Sequence, residues 1–186
     1  MLKPLFLALV TLLSITQVQA APSTTRQLSS PAFSDGGTLP LQQVFNSFGC
    51  TGGNQSPALS WTTPPEGTKS LALTVYDPDA PTGSGWWHWV VFNLPPDTRS
   101  LPVNAGTPEG KTLPKGAVQA RTDYGTSGFG GACPPKGDAL HRYVFTLWAL
   151  DTESLPLDET ASGAMVGYYL NQHQIAKATL TATYGR

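Results

Sequence analysis

Two neighbouring segments of the sequence hold side chains that could transfer protons or bind a charged group. Asp77 and Asp79 lie in the pentapeptide DPDAP, whose two prolines restrict the backbone and display both carboxylates on a rigid turn. His88 follows in the run WWHWVVF, and strict alternation along a strand places it on one face with Val90 and Phe92. If the two segments are neighbouring strands, Asp77 and His88 meet at one end of a sheet. The turn also fits aspartates that only cap backbone N–H groups, and a lone histidine is often a core residue.

A glycine-rich loop, residues 125–138, leads into a third segment with chemically active side chains. His141 and Tyr143 alternate onto one face as the next strand begins. Backbone N–H groups of such a loop, beside imidazole and phenol donors, suit an anion. We expect His88, His141 and Tyr143 to donate hydrogen bonds to it, with Asp77 orienting a histidine or accepting a hydrogen bond from an amine of the ligand. Two alternatives remain: a metal site of two histidines and a carboxylate, although no HxH or HExxH spacing supports it, and a hydrolase, although GTSGFG is not a GxSxG elbow.

The composition excludes several classes of protein. Of 186 residues, 19 are glycine and 17 are proline, too many for a coiled coil or a helix bundle. Aromatic residues make up 10% of the chain, which supplies burial that a disordered chain lacks. The formal net charge is −1 and there is no basic run, so a sequence-independent nucleic-acid surface is not expected.

Four segments carry strong strand signals, because they are rich in β-branched and aromatic residues and bounded by turn residues: 71–76, 87–94, 143–150 and 179–184. Weaker strand candidates are 31–33, 57–62 and 116–121. One helix is predicted over 159–176, with a mostly apolar stripe of Ala161, Met165, Tyr168, Gln172 and Ile175. Close strand spacing with one late helix predicts a mainly β fold, an antiparallel β-sandwich with a short C-terminal helix.

The first twenty residues have the pattern of a secretory signal peptide: Lys3, an apolar run, and small residues before a cleavage point after Ala20. We therefore predict a signal peptide over 1–20, a flexible N-terminus over 21–30 and one domain over 31–186. The mature chain is expected to have no membrane span and to be periplasmic or secreted. In an oxidising compartment Cys50 and Cys133 are expected to form a disulfide, and two free thiols are the alternative.

The segments DPDAPTGSGWWHWVVFNLP and GFGGACPPKGDALHRYVFTLWALD resemble the phosphatidylethanolamine-binding protein family, also called Raf kinase inhibitor-like proteins, in its bacterial branch. The resemblance extends over about residues 34–184. It implies a β-sandwich with a small pocket for phosphate-type anions, including phospholipid headgroups. The pocket residues that it implies are Asp77, His88, Pro135, His141 and Tyr143. Residues expected at the pocket rim are Asp79, Trp86, Tyr168 and Tyr169.

The sequence thus predicts an exported, non-enzymatic binding protein for phosphate or a phosphoethanolamine-like group, with no cofactor and no metal. A hydrolase or a metal-dependent enzyme using the same Asp and His side chains is the alternative. A third interpretation is an interaction protein that acts on a kinase or a host factor. Because an exported protein does not meet a cytosolic kinase in its own cell, the resemblance supports the pocket more than kinase inhibition.

Overall fold

The computed structural model describes residues 27–186, so the predicted signal peptide lies outside the described residues. This part of the chain forms eight strands, one α-helix (α1) and a short 3₁₀ helix at Leu41–Gln43. The strands, in chain order, are β1 (Leu28–Ser29), β2 (Leu59–Trp61), β3 (Ser70–Asp77), β4 (Trp86–Leu94), β5 (Ser100–Leu101), β6 (Val118–Gln119), β7 (His141–Leu150) and β8 (Gln174–Tyr184). Helix α1 is Gly163–His173 and lies between β7 and β8.

The strands form two antiparallel sheets, which confirms the predicted β-sandwich. The large sheet has the order β6-β4-β3-β7-β8 and contains all four strongly predicted strands, while the small sheet has the order β1-β2-β5. The predicted flexible segment 21–30 is wrong at its end, because Leu28 is buried in the core and pairs with Trp61 of β2. No strand forms at 31–33, whereas β2 and β6 lie within the other two weak candidates.

Two hydrophobic clusters lie on opposite faces of the large sheet. The inner cluster joins the two sheets, with Leu73 and Val75 of β3 facing Leu59 and Leu101 of the small sheet. The outer cluster packs α1 onto the other face of the large sheet and includes Ala72 of β3. Because β3 is buried on both faces, its apolar residues do not alternate with polar ones.

The buried face of α1 differs from the predicted stripe. The helix begins after Ser162, whose hydroxyl accepts a hydrogen bond from the Met165 backbone N–H at 3.2 Å. Val166 and Leu170 are buried in the outer cluster, whereas Met165 is 50% exposed. Tyr168, also in the predicted stripe, is 59% exposed, and the predicted helical residue Ile175 belongs to β8. The helix is oriented by a close contact between Gly163 and the indole of Trp87.

A methyl group at Gly163 is expected to destabilise the fold. A Cβ atom there would lie 2.3 Å from Cγ of Trp87, so the helix or the indole has to move. We expect Gly163→Ala to lower the free energy of unfolding by about 1 to 3 kcal/mol, measured by urea unfolding. The control is Gly167→Ala, one turn later, where the nearest Trp87 atom is 3.5 Å away. Alanine favours helix there, so an equal loss in both variants would contradict the contact with Trp87.

Candidate functional site

A β-bulge in β4 decides which way His88 faces. Val75 of β3 pairs with Trp89, but the next residue, Tyr76, pairs with Trp87, so His88 is the extra residue between two pairs. The bulge places the His88 ring on the inner side, with its centroid 5.1 Å from that of Tyr143 on β7. The alternation predicted from sequence is therefore wrong here, because His88 does not share the face of Val90 and Phe92, which pack under α1.

One cavity of about 180 Å³ opens at this end of the large sheet. It is lined by all five residues that the family resemblance implies, and also by Trp86 from the expected rim. Three strands supply the polar residues: Asp77 ends β3, His88 lies in β4, and His141 and Tyr143 begin β7. Besides these five and Trp86, the lining residues are Phe48, Ala80, Pro81, Thr82, Tyr124, Cys133 and Pro134.

Asp77 is a buried carboxylate whose oxygens accept three hydrogen bonds. Oδ1 accepts from the backbone N–H groups of Asp79 and Ala80, at 2.8 and 3.1 Å. Oδ2 accepts from Nδ1–H of the buried His141 at 2.8 Å. Aspartate thus caps the turn, as the structural interpretation of DPDAP predicts, and at the same time fixes the ring of His141. His141 Nε2, on the far side of the ring, lies 3.4 Å from Oδ2 of Asp138.

His88 is held as a neutral imidazole. Its Nδ1 lies 2.7 Å from the carbonyl oxygen of Gly130, and because a carbonyl only accepts, Nδ1 carries the proton. Burial lowers the pKa of His88 below its usual range. Hydrogen bonds to the backbone of Gly130 and Gly131 act in the opposite direction, but burial has the larger effect. Near pH 7 the other ring nitrogen, Nε2, therefore has a free lone pair. This differs from the sequence expectation that His88 donates to an anion.

Two buried donors of the cavity have no partner within residues 27–186. They are the indole N–H of Trp86 and the hydroxyl of Tyr143. Burial, together with the charge of Asp77, raises the pKa of the Tyr143 phenol, so the hydroxyl keeps its proton. Tyr124 is in a similar environment, but its hydroxyl donates to the carbonyl of Gly131 at 2.9 Å. Two residues that line the cavity, Trp86 and Tyr143, thus have donors that the described part of the chain leaves unused.

Three consecutive backbone N–H groups of the glycine-rich loop are used within the fold. The N–H groups of Phe129 and Gly130 donate to the carbonyls of Gly106 and His88, at 2.7 and 2.8 Å. Gly131 donates to Oδ1 of Asn54 at 2.7 Å. These three N–H groups therefore hold the loop in place and are not free to bind a ligand.

Asp79 lies outside the cavity and has a structural role. Its carboxylate accepts from the guanidinium of Arg142 at 2.7 and 2.8 Å and from the backbone N–H of Arg142 at 2.9 Å. These hydrogen bonds, with the charge of the guanidinium, lower the pKa of Asp79 to about 2. The pair ties the DPDAP turn to the first residues of β7, next to His141.

A disulfide and the side chain of Arg186 hold one wall of the cavity. Cys50 and Cys133 are bridged, with Cα atoms 6.0 Å apart, as expected from the sequence. The guanidinium of Arg186 donates to the carbonyls of Gly49 and Pro134 at 2.8 and 2.7 Å. Each of these carbonyls belongs to the neighbour of a bridged cysteine. The two loops are thus connected covalently and also through charge-assisted hydrogen bonds of Arg186.

Tyr168 and Tyr169 do not line this cavity, although the resemblance places them near it. Both belong to α1, which packs on the outer face of the large sheet, and Tyr169 contacts the outer cluster. Conversely, sequence reasoning missed Phe48 and Tyr124, since both lie in irregular loops where no periodicity marks them. Arg186 was missed for the same reason.

Within residues 27–186, no three His, Cys, Asp or Glu side chains are grouped so that they could hold a metal ion. No helix of the same part of the chain is long and apolar enough to cross a bilayer.

The fold and the cavity match a known family of proteins. The family model described as phosphatidylethanolamine-binding protein matches residues 29–185, nearly all of the described chain. The chain belongs to the phosphatidylethanolamine-binding protein family. YbcL of Escherichia coli (strain K12) is 56% identical over 165 residues, which cover 89% of this chain and 90% of YbcL. The crystal structure of YbcL, described as a new member of the mammalian PEBP family, covers 87% of this chain and 98% of its own, with a TM-score of 0.85.

Two further relatives place the family across bacteria. YbhB of Escherichia coli (strain K12) is 53% identical over 158 residues, covering 85% of this chain and 99% of YbhB. LppC of Mycobacterium tuberculosis (strain ATCC 25618 / H37Rv), which carries a lipoprotein name, is 36% identical over 157 residues, covering 84% of this chain and 71% of LppC. As a phosphatidylethanolamine-binding protein family member, the chain has a binding-protein fold, and its cavity lies where the two family-like motifs meet.

Proposed function

We propose that this protein is an exported, non-enzymatic binding protein whose cavity takes a phosphate group, either free or on a small headgroup such as phosphoethanolamine. One observation carries the proposal. Trp86 and Tyr143 line the cavity, and the N–H of one and the O–H of the other are buried donors without a partner in the described chain. A buried donor without a partner costs about 1 to 3 kcal/mol, so a ligand that brings acceptor oxygens is favoured. Phosphate oxygens are such acceptors.

The size of the cavity supports the same class of ligand. A cavity of about 180 Å³ has room for a phosphate group and a short substituent. Its polar groups lie at the end of the large sheet, whereas Phe48, Pro81 and Pro135 contribute apolar surface. A small anionic group bound at the polar end, with an organic substituent against the apolar part, fits this distribution.

A hydrolase is the second candidate, because Asp77 and His141 form the kind of pair that activates a nucleophile. The carboxylate of Asp138 lies 3.4 Å from His141 Nε2, however. A carboxylate there supplies no hydroxyl or thiol to activate. The arrangement therefore favours binding over nucleophilic catalysis.

Export is supported by three observations. Residues 1–20 have the pattern of a signal peptide. Cys50 and Cys133 form a disulfide, which is typical of oxidising compartments. The relative LppC carries a lipoprotein name. A protein partner, whether a kinase or a host factor, stays a prediction.

Removing one donor at a time tests the anion site. We expect Tyr143→Phe and Trp86→Phe each to weaken binding of phosphoethanolamine and of inorganic phosphate by about 3- to 10-fold, the value of one hydrogen bond. Titration calorimetry at pH 6 measures both ligands. Tyr143→Phe is expected to keep its thermal stability, because the hydroxyl that it removes has no partner in the described chain.

The matched control is Tyr168→Phe, since Tyr168 is exposed on α1 and outside the cavity. It should bind both ligands like the wild type. If Tyr143→Phe and Trp86→Phe also bind like the wild type, the two orphan donors do not contact the ligand. If the wild type binds neither ligand, the proposed function is wrong.

A further inference from the structure

The charges around the cavity do not suit a doubly charged anion. Among its lining residues there is no lysine and no arginine, but there is the buried carboxylate of Asp77. The nearby guanidinium of Arg142 is already paired with Asp79. Even when His141 is protonated, its charge is balanced by Asp77, with which it shares a hydrogen bond of 2.8 Å. A dianion would therefore enter a site with no net positive charge, which disfavours it relative to a monoanion.

The cavity also contains an acceptor that needs a proton from the ligand. The carbonyl of Gly130 accepts a hydrogen bond from Nδ1–H of His88, so the lone pair of this buried imidazole is on Nε2. His88 lines the cavity, and its only side-chain hydrogen bond with the part of the chain that the structure describes is made by Nδ1. An anion without a proton would bring an oxygen lone pair against the Nε2 lone pair. An anion with a P–OH group would donate to it, while its other oxygens accept from Trp86 and Tyr143.

We propose that the cavity selects a singly charged phosphate group that still carries a P–OH, as dihydrogen phosphate or the monoanion of a phosphomonoester, over phosphodiesters and sulfate esters. His88 is the residue that determines this specificity, through its acceptor nitrogen. The inference rests on the proposed function, because it specifies the chemical class of the phosphate ligand that the same cavity binds. It predicts a preference for small monoesters over the diester headgroups of intact phospholipids.

Three ligands with the same ethanolamine end test the inference on the wild-type protein. Phosphoethanolamine is a monoester, glycerophosphoethanolamine is a diester, and ethanolamine O-sulfate has the charge of the phosphate monoanion without its proton. At pH 5.5 we expect phosphoethanolamine to bind at least tenfold more tightly than the other two, because only the monoester can donate a proton to Nε2 of His88. Inorganic phosphate is the fourth ligand and shows whether the substituent contributes.

The pH dependence separates protonation of the ligand from protonation of the protein. With a second pKa of about 6, the monoanion fraction of phosphoethanolamine rises about eightfold between pH 7 and pH 5.5. The sulfate ester does not titrate in this range, so its affinity reports only the groups of the protein. The groups that face His88 are Asp77 on β3, His141 and Tyr143 on β7, and Asp123 and Tyr124 in the loop after β6. The ratio of the two affinities should therefore rise about eightfold as the pH falls.

A variant of His88 tests the residue itself. His88→Asn can keep a donor to Gly130 through its side-chain amide but removes the Nε2 acceptor. We expect the tenfold preference for phosphoethanolamine over ethanolamine O-sulfate at pH 5.5 to shrink towards equality. The wild-type series needs no variant, so it decides the inference even if His88→Asn does not fold.

The outcomes are distinct. If none of the four ligands binds, the proposed function fails. If phosphoethanolamine binds but the diester and the sulfate ester bind equally well, only the selection of a protonated phosphate fails. If the preference for phosphoethanolamine is present but His88→Asn keeps it in full, His88 does not accept the hydrogen bond from the P–OH group. The assignment of this role to its Nε2 is then overturned.

Discussion

Asp77→Ala is expected to lower the free energy of unfolding by about 3 to 5 kcal/mol, a large share of the stability of an ordinary domain. The substitution leaves two backbone N–H groups of the DPDAP turn and Nδ1–H of the buried His141 without their acceptor. The bond of His141 is buried and the two turn bonds are part-buried, so the largest share of the penalty comes from His141. Urea unfolding followed by circular dichroism measures the change, with the m-value checked for constancy.

Asp79→Ala is the matched control, since Asp79 lies two residues away in the same turn. Its partner, the guanidinium of Arg142, is at the surface, where water replaces a lost hydrogen bond. We therefore expect only a small loss of stability, because exposed ion pairs contribute little. Binding of phosphoethanolamine should fall sharply in Asp77→Ala, where His141 is no longer oriented. Equal effects of the two substitutions on stability would mean that Asp77 has no special role.

Removing the disulfide is expected to have the second large effect. The bridge links residues separated by 83 positions. In the chain-entropy model, closing a loop of this size stabilises the folded state by about 4 to 5 kcal/mol at most. Scanning calorimetry of Cys50→Ser/Cys133→Ser should therefore show a melting temperature lower by on the order of 10 °C. Cys133 also lines the cavity, so phosphoethanolamine should bind more weakly as this wall loosens.

Reductant provides the control for the double variant. Wild-type protein reduced before the scan should melt like the variant, whereas the variant itself should not respond to reductant. Two free thiols in the exported wild-type protein would contradict the bridge. If the variant melts lower but binds phosphoethanolamine with full affinity, the disulfide stabilises the fold without shaping the cavity, because the Arg186 contacts alone then suffice.

The main strands could be predicted from the sequence because their composition is dictated by local requirements. Segments such as 143–150 combine β-branched and aromatic residues, and turn residues bound them on both sides. Their burial on both faces also follows from the absence of alternation. Short strands such as β1 could not be predicted in this way, because Leu28 and Ser29 become a strand only through pairing with β2.

The buried face of α1 could not be predicted from periodicity. Its apolar residues are spread around the helix, and several faces fit a period of 3.6. The contact that selects one face is between Gly163 and Trp87, residues that are distant in the sequence. A glycine counts against a helix in a propensity argument, whereas here it permits the helix to approach the sheet.

The members of the site could be predicted better than their roles. Asp77, His88, His141 and Tyr143 follow from two motifs, and all four line one cavity. Protonation states depend on burial and on hydrogen-bond partners such as the Gly130 carbonyl, which no local pattern reveals. For that reason the sequence predicted His88 as a donor, whereas its environment makes it an acceptor.

The bulge at His88 makes the site sensitive to the length of β4 as well as to its composition. A strand with one residue fewer at this point would resume strict alternation, and the imidazole would turn towards α1, among Val90 and Phe92. The histidine would then be retained, with one tryptophan of WWHW lost, while the cavity loses its acceptor. Insertions and deletions of a single residue are therefore expected to be rarer in this stretch during evolution than exchanges among its bulky aromatic residues. The spacing between Trp86 and Trp89, as much as their identity, belongs to the binding site.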